Sequence, residues 1–149
     1  MAAQLITFQI GEQHLGVDIM AIREIRAWTP TTMLPHVPAH VRGVVNLRGT
    51  VLPVIDLAAR LGWGTTDPTG RHVIIVVRID DQLQGLIVDA VSDIVAVDES
   101  MLQPPPSLGD NPAADCLEGI VSVEDRMVMI LALDRLALHI KPSLLAEAA

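Results

Sequence analysis

Aromatic side chains are almost missing from this chain of 149 residues: Phe8, Trp28 and Trp63 are the only three, and there is no tyrosine. Proteins that bind single-stranded nucleic acid stack bases on aromatic platforms, and three scattered rings do not build one. Positive charge is also scarce, with ten Lys and Arg against 18 Asp and Glu and a net charge of −8. Such a chain repels a phosphate backbone unless a basic patch is concentrated somewhere, and no patch is visible. With Cys116 as its single cysteine, no internal disulfide can form, in keeping with a reducing compartment. Apolar runs are broken by Arg, Asp or Gly well before the roughly 18 to 20 residues that a membrane span needs. The opening Met-Ala-Ala-Gln-Leu-Ile-Thr-Phe lacks the basic start and long apolar centre of a secretory signal. The expectation is a soluble, cytoplasmic protein without direct membrane insertion.

Enzyme signatures are missing as well. There is no Gly-x-Ser-x-Gly elbow, no Gly-rich phosphate loop ending in Lys-Ser/Thr and no His-Glu-x-x-His pair. Of the five histidines only His36 and His40 share a local spacing, with a proline between them and no adjacent Cys or carboxylate, so no metal site is predicted. The pairs Asp80-Asp81 and Glu124-Asp125 fall at predicted hairpin turns, where acidic residues satisfy local backbone groups. Cys116 has no basic neighbour in sequence to activate it. No catalytic residue and no cofactor are predicted.

Half of the residues are hydrophobic, and they fall into short β-branched runs. Leu5 to Ile10, Leu15 to Asp18, Val44 to Leu47, Val51 to Ile55, His72 to Ile79, Gln84 to Asp89, Ile120 to Val123 and Met127 to Leu131 read as strands. Pro38 to Gly43 reads as one helical turn, and Gly62 to Gly70, dense in turn residues, as a boundary between two subdomains. The stretch from Gln103 to Pro112 reads as a stiff loop, and residues 142–149 as a short C-terminal helix.

A duplication underlies these runs. Gly16-Val-Asp-Ile-Met-Ala-Ile-Arg-Glu-Ile25 aligns with Gly85-Leu-Ile-Val-Asp-Ala-Val-Ser-Asp-Ile94, and Gly43-Val-Val-Asn-Leu47 aligns with Gly119-Ile-Val-Ser-Val123, in the same order. Beyond them, Val51 to Leu57 matches the run from Val128 to Leu136 if a small insertion is allowed. That alignment pairs Asp56 with Asp134, each as the N-cap of a short helix. The predicted architecture is mainly β: two small β-barrels packed side by side as one domain. Subdomain 1 covers roughly 15–65 and subdomain 2 roughly 70–138, with the strand at 4–10 crossing between them.

Arg48 stands out against this aliphatic background, at the tip of the hairpin Gly43 to Leu57. Its repeat counterpart carries Glu124-Asp125, so a duplicated scaffold has been given two unequal tips. Unequal ends suit two different partners.

Asn46-Leu-Arg-Gly-Thr-Val-Leu-Pro-Val-Ile-Asp-Leu57, Ile22-Arg-Glu-Ile25 and Gly85 to Ile94 resemble, in order and spacing, the motifs of the CheW family of bacterial chemotaxis coupling proteins. The resemblance covers nearly the whole chain. It implies two five-stranded SH3-like barrels and an adaptor without catalysis. That adaptor would connect the cytoplasmic tips of transmembrane chemoreceptors, at membrane-associated arrays, to the regulatory domain of a CheA-type histidine kinase. Related barrels would pair end to end, and self-association within arrays is a further expectation. The groove between barrels would receive a receptor helical hairpin, with Ile22, Gly85 and Ile94 as its residues. Arg48 is the expected coupling residue, paired across the first barrel with Glu24. Departures from the family pattern, chiefly Arg23 and Pro104-Pro105-Pro106, bear on partner choice. Three alternatives accompany this reading: an adaptor of a parallel chemosensory system such as pilus motility, a small β-barrel nucleic-acid binder and a small hydrolase.

Overall fold

The computed structural model describes residues 2–33, 35–104 and 115–136. Ten strands lie within them: β1 (Ala2–Ile10), β2 (Gln13–Asp18), β3 (Ile22–Ala27), β4 (Val41–Leu47), β5 (Thr50–Asp56), β6 (Val73–Ile79), β7 (Gln82–Val88), β8 (Ala90–Asp98), β9 (Leu117–Val123) and β10 (Arg126–Leu131). Two single-turn helices, α1 (Leu57–Arg60) and α2 (Leu133–Leu136), follow β5 and β10, and 3₁₀ turns occupy Ile19–Ala21 and Glu99–Met101. The strands form two five-stranded sheets, ordered β8-β1-β2-β10-β9 and β3-β6-β7-β5-β4. This is the mainly β, two-sheet architecture expected.

Moving every strand five places along the chain converts one order into the other. The agreement extends to single residues. Each sheet has one parallel pair, β2 with β10 and β7 with β5. The bulge that leaves Arg23 unpaired in β3 recurs at Ser92 in β8, and the one at Arg42 in β4 recurs at Glu118 in β9. Isolated bridges repeat as well, Thr32 with Val44 and Gln103 with Ile120. The following residues, Gly43 and Gly119, are glycines for one reason: a Cβ on either would collide with the carbonyl oxygen of Thr32 or Gln103.

The predicted boundary between residues 65 and 70 does not separate the sheets. Each repeat places its first hairpin in one sheet and its next three strands in the other, so β1 and β2 join β8, β9 and β10, while β6 and β7 join β3, β4 and β5. The chain changes sheets between β2 and β3 and again between β7 and β8. At the second crossing Asp89 ties both sheets together. Its N–H donates to the Gln9 carbonyl at 2.9 Å, its Oδ2 accepts the Gly11 N–H at 2.6 Å, and its Oδ1 lies 3.4 Å from His72 Nε2 at the entry to β6.

Three apolar clusters follow from this arrangement. Strand β6 is apolar at nearly every position because both of its faces are covered. Ile75, Val77 and Ile79 face a core shared with Phe8, Leu15 and Val17 of the other sheet, while Ile74 and Val76 face a cluster drawn from their own sheet alone, with Leu52, Val54 and Ile87. A sheet that buries one face using only its own residues is curled. The first sheet has its equivalent in Leu5, Val97, Val121, Val128 and Ile130.

Several local expectations need correction. Strands β3 and β8 were not among the eight predicted. Pro38 to His40 make one hydrogen-bonded turn, with the Val41 N–H donating to the Pro38 carbonyl at 3.0 Å, and β4 begins at once, so there is no helix. Asp56 does cap α1, accepting the Ala59 N–H at 3.4 Å. Asp134, however, lies inside the first turn of α2, because the repeats align without an insertion and Ala132 takes the place of Asp56. The predicted C-terminal helix at 142–149 and most of the proline-rich loop lie outside the described residues.

Candidate functional site

Arg48 and Gly49 form a two-residue turn between β4 and β5, with φ of 50° and 88°. Positive φ at both central positions matches the twist of the paired strands, and Asn46 Oδ1 braces the turn by accepting the Gly49 N–H at 2.9 Å. A side chain in this left-handed conformation is disfavoured by about 1–2 kcal/mol relative to the right-handed one. Arg48 is held there all the same, projecting from the end of the sheet.

Across the sheet mouth, Arg48 Nη2 donates to Glu24 Oε2 at 2.7 Å, the pairing expected from sequence. The bulge at Arg23 resets the alternation of β3, so that Ile22, opposite Val77, faces the shared core, whereas Glu24 and Arg26, opposite Val76 and Ile74, face the side of the second sheet's own cluster. The Arg48 side chain is 76% exposed and that of Glu24 27%. An exposed pair contributes only about 0–1 kcal/mol to stability, so its main effect is to fix where the guanidinium points. Beside it Arg78 Nη2 donates to Asp81 Oδ1 at 2.6 Å. Together these charged groups border a depression of about 450 Å³ floored by Leu47, Val76 and Leu83.

The three residues assigned to a receptor groove do not come together. Ile22 is partly buried against the shared core. Gly85 is buried and faces the other way, since a Cβ on it would stand 2.8 Å from Ile74 Cγ2 and 3.5 Å from Leu52 Cδ1 and Val54 Cγ2. It lines the inner cluster of the second sheet. Ile94 is 55% exposed, on β8 in the other sheet. Sequence reasoning missed Ile25, the repeat counterpart of Ile94 and 40% exposed, although the alignment that pairs the two residues already marked it.

A cavity of about 920 Å³ opens at the end of the first sheet away from the Glu124-Asp125 turn. Its described lining includes six carboxylates, one guanidinium and apolar residues, with no Ser, Cys, His or Lys. Among the described residues no three His, Cys, Asp or Glu are grouped to hold a metal ion, and no helix is long and apolar enough to cross a membrane. His40 has its pKa lowered by burial and by the Arg60 charge, and Cys116 has its pKa raised by burial. A buried thiol of this kind is a poor nucleophile.

Two curled sheets locked through one core, with charged tips and single isoleucines on their edge strands, define a scaffold that binds other proteins through its surface. The comparisons with known proteins agree. Residues 4–141 match the family described as CheW-like domain. A curated relative, "Probable chemotaxis protein CheW" of Rhizobium etli, is 50% identical over 89% of this chain and 86% of its own length. Protein FrzA of Myxococcus xanthus is 31% identical over 79% of this chain and 73% of its own. The crystal structure of scaffolding protein TtCheW from Thermoanaerobacter tengcongensis superposes with a TM-score of 0.82 at 34% identity, covering 95% of this chain and 92% of that one. The chain belongs to the CheW family. It is a non-catalytic adaptor of chemotaxis signalling.

Proposed function

We propose that the protein holds the regulatory domain of a CheA-type histidine kinase and the cytoplasmic tips of chemoreceptors on one rigid body, in the cytoplasm beneath receptor arrays. The observation that carries this reading is the Arg48–Glu24 pair, a guanidinium fixed at 2.7 Å on the turn of the motif most diagnostic of the family. Its alignment couples partner engagement to kinase activity. Ile22 and Ile94 supply apolar contact along the edge strands, and Gly85 acts indirectly, by keeping the inner cluster closed.

Rigid transmission is a reasonable task for this fold because the shared core ties the two sheets into one body. The test is to mix the purified protein with the kinase regulatory domain and, separately, with receptor tip fragments, and to follow complex formation by gel filtration at low and high salt. The expected result is a complex with the kinase domain that survives salt, as apolar interfaces do. Failure to bind any kinase domain of this type overturns the assignment.

A further inference from the structure

Thr7 is 6% exposed, a buried polar residue in the middle of β1. It stands opposite the bulge in β8, where the pairing passes from Thr7 with Asp93 to Phe8 with Val91 and skips Ser92. A bulge disrupts the ladder locally and leaves backbone groups to be satisfied by other means. The Thr7 hydroxyl does this: its Oγ1 accepts the Asp93 N–H at 3.1 Å and donates to the Asp93 carbonyl at 3.2 Å. The next amide, that of Ile94, donates to Oδ1 of Asp93 itself at 2.8 Å.

The matching bulge in β3 lacks this clasp. Val76 stands opposite Glu24 as Thr7 stands opposite Asp93, it has no hydroxyl, and Glu24 extends its carboxylate to Arg48 instead. The clasp matters because β8 is a terminal strand, and free N–H groups on such an edge invite another strand. Two consecutive amides at the bulge are already bound to side-chain oxygens. What the edge offers there is the Ile94 side chain, 55% exposed, on a backbone that is pinned. Contact through an apolar side chain, without backbone pairing, suits a helix, which satisfies its own N–H and C=O groups internally. We propose that Thr7 is a positioning residue: acting through Asp93, it fixes the bulge of β8 so that Ile94 is presented to a helix of the receptor tip.

The proposal rests on the receptor half of the adaptor reading and adds the residue that sets the contact. Its test uses the full chain as Thr7→Val, which gives the first sheet the residue of the second, and as Thr7→Ser, which keeps the hydroxyl. In Thr7→Val the Asp93 amide should exchange its hydrogen about tenfold or more faster, with β6 and β7 unchanged. Calorimetric titration with receptor tip fragments should show binding about fivefold or more weaker, and Thr7→Ser should restore both readouts. In an Ile94→Ala background Thr7→Val should weaken binding no further, because the side chain it positions is gone. Asp93→Ala, at an exposed site, frees the Ile94 N–H without touching the core and should weaken receptor binding even if Thr7→Val does not fold. Unchanged exchange at Asp93 in Thr7→Val overturns the clasp. Unchanged receptor binding by Thr7→Val or by Asp93→Ala, or an equal loss in the Ile94→Ala background, overturns the positioning role and leaves the adaptor reading standing. No receptor binding by the unsubstituted protein overturns the receptor reading and the positioning role together.

Discussion

Replacing Arg48 with alanine separates orientation from stability. The side chain is 76% exposed, its one ion pair is solvent-screened, and its turn is braced independently by Asn46, so Arg48→Ala should cost less than about 1 kcal/mol. For a chain of this size 1 kcal/mol corresponds to roughly 2–4 °C in Tm. Glu24→Gln should cost as little. Stability therefore predicts nearly silent substitutions. If the pair fixes the guanidinium for a partner, however, receptor-dependent kinase activation in a reconstituted array should fall severalfold for Arg48→Ala. Glu24→Gln should reduce it partially, and the double variant should be no worse than Arg48→Ala, since one interaction has been removed twice. Two outcomes would refute the reasoning. Undiminished activation by Arg48→Ala removes the coupling role, and a Tm loss above about 10 °C makes Arg48 a structural residue whose effect on signalling is secondary.

The inner faces of the sheets make a second prediction. Gly85→Ala brings a Cβ to 2.8 Å from the branched, fully buried Ile74, whereas Gly16→Ala, at the equivalent place in the other sheet, meets Leu5 and Val128 at 3.2 Å. Urea unfolding should show about 1–3 kcal/mol lost for Gly85→Ala and clearly less for Gly16→Ala, and the reverse order would refute the packing account. Asp56 is 1% exposed and accepts from Ala59 N–H, Thr66 N–H and Thr66 Oγ1. Asp56→Ala should cost about 2–4 kcal/mol in urea unfolding and increase hydrogen exchange at Thr66. His40, whose pKa lies below 6.5 because of burial and the nearby Arg60, binds its proton more readily when unfolded. Its contribution to stability is present above pH 6.5 and is lost as pH falls towards the folded-state value, so thermal scans of His40→Asn should lose part of the acid sensitivity below pH 6.5.

What could be read from the chain, and what could not, divides along physical lines. Turns were legible because primed hairpins need left-handed residues, and Arg48-Gly49, Asp80-Asp81 and Glu124-Asp125 all fall where the strands reverse. The Arg48–Glu24 pair was legible because two charges beside apolar strands require partners. Strands β3 and β8 escaped notice because they are terminal in their sheets, carry Arg23, Glu24, Ser92 and Asp93, and contain a bulge that breaks the alternation on which strand recognition depends. Sheet membership was hidden for a different reason. Neighbours in sequence are usually neighbours in space, and here β2 and β7 leave their successors for the other sheet. The buried, inward position of Gly85 was not legible because a glycine reveals close packing without revealing on which face.

The exchange of hairpins also bears on how such a chain arises. One repeat encodes a hairpin and three further strands, yet in this chain it completes neither sheet, and two separate copies that exchanged hairpins would complete both. Joining two such mutually dependent copies by the segment between α1 and β6 would convert a symmetrical pair into a single polypeptide without moving a strand. Within one polypeptide the two tips can differ in charge, as Arg48 and Glu124 do, which two identical subunits cannot.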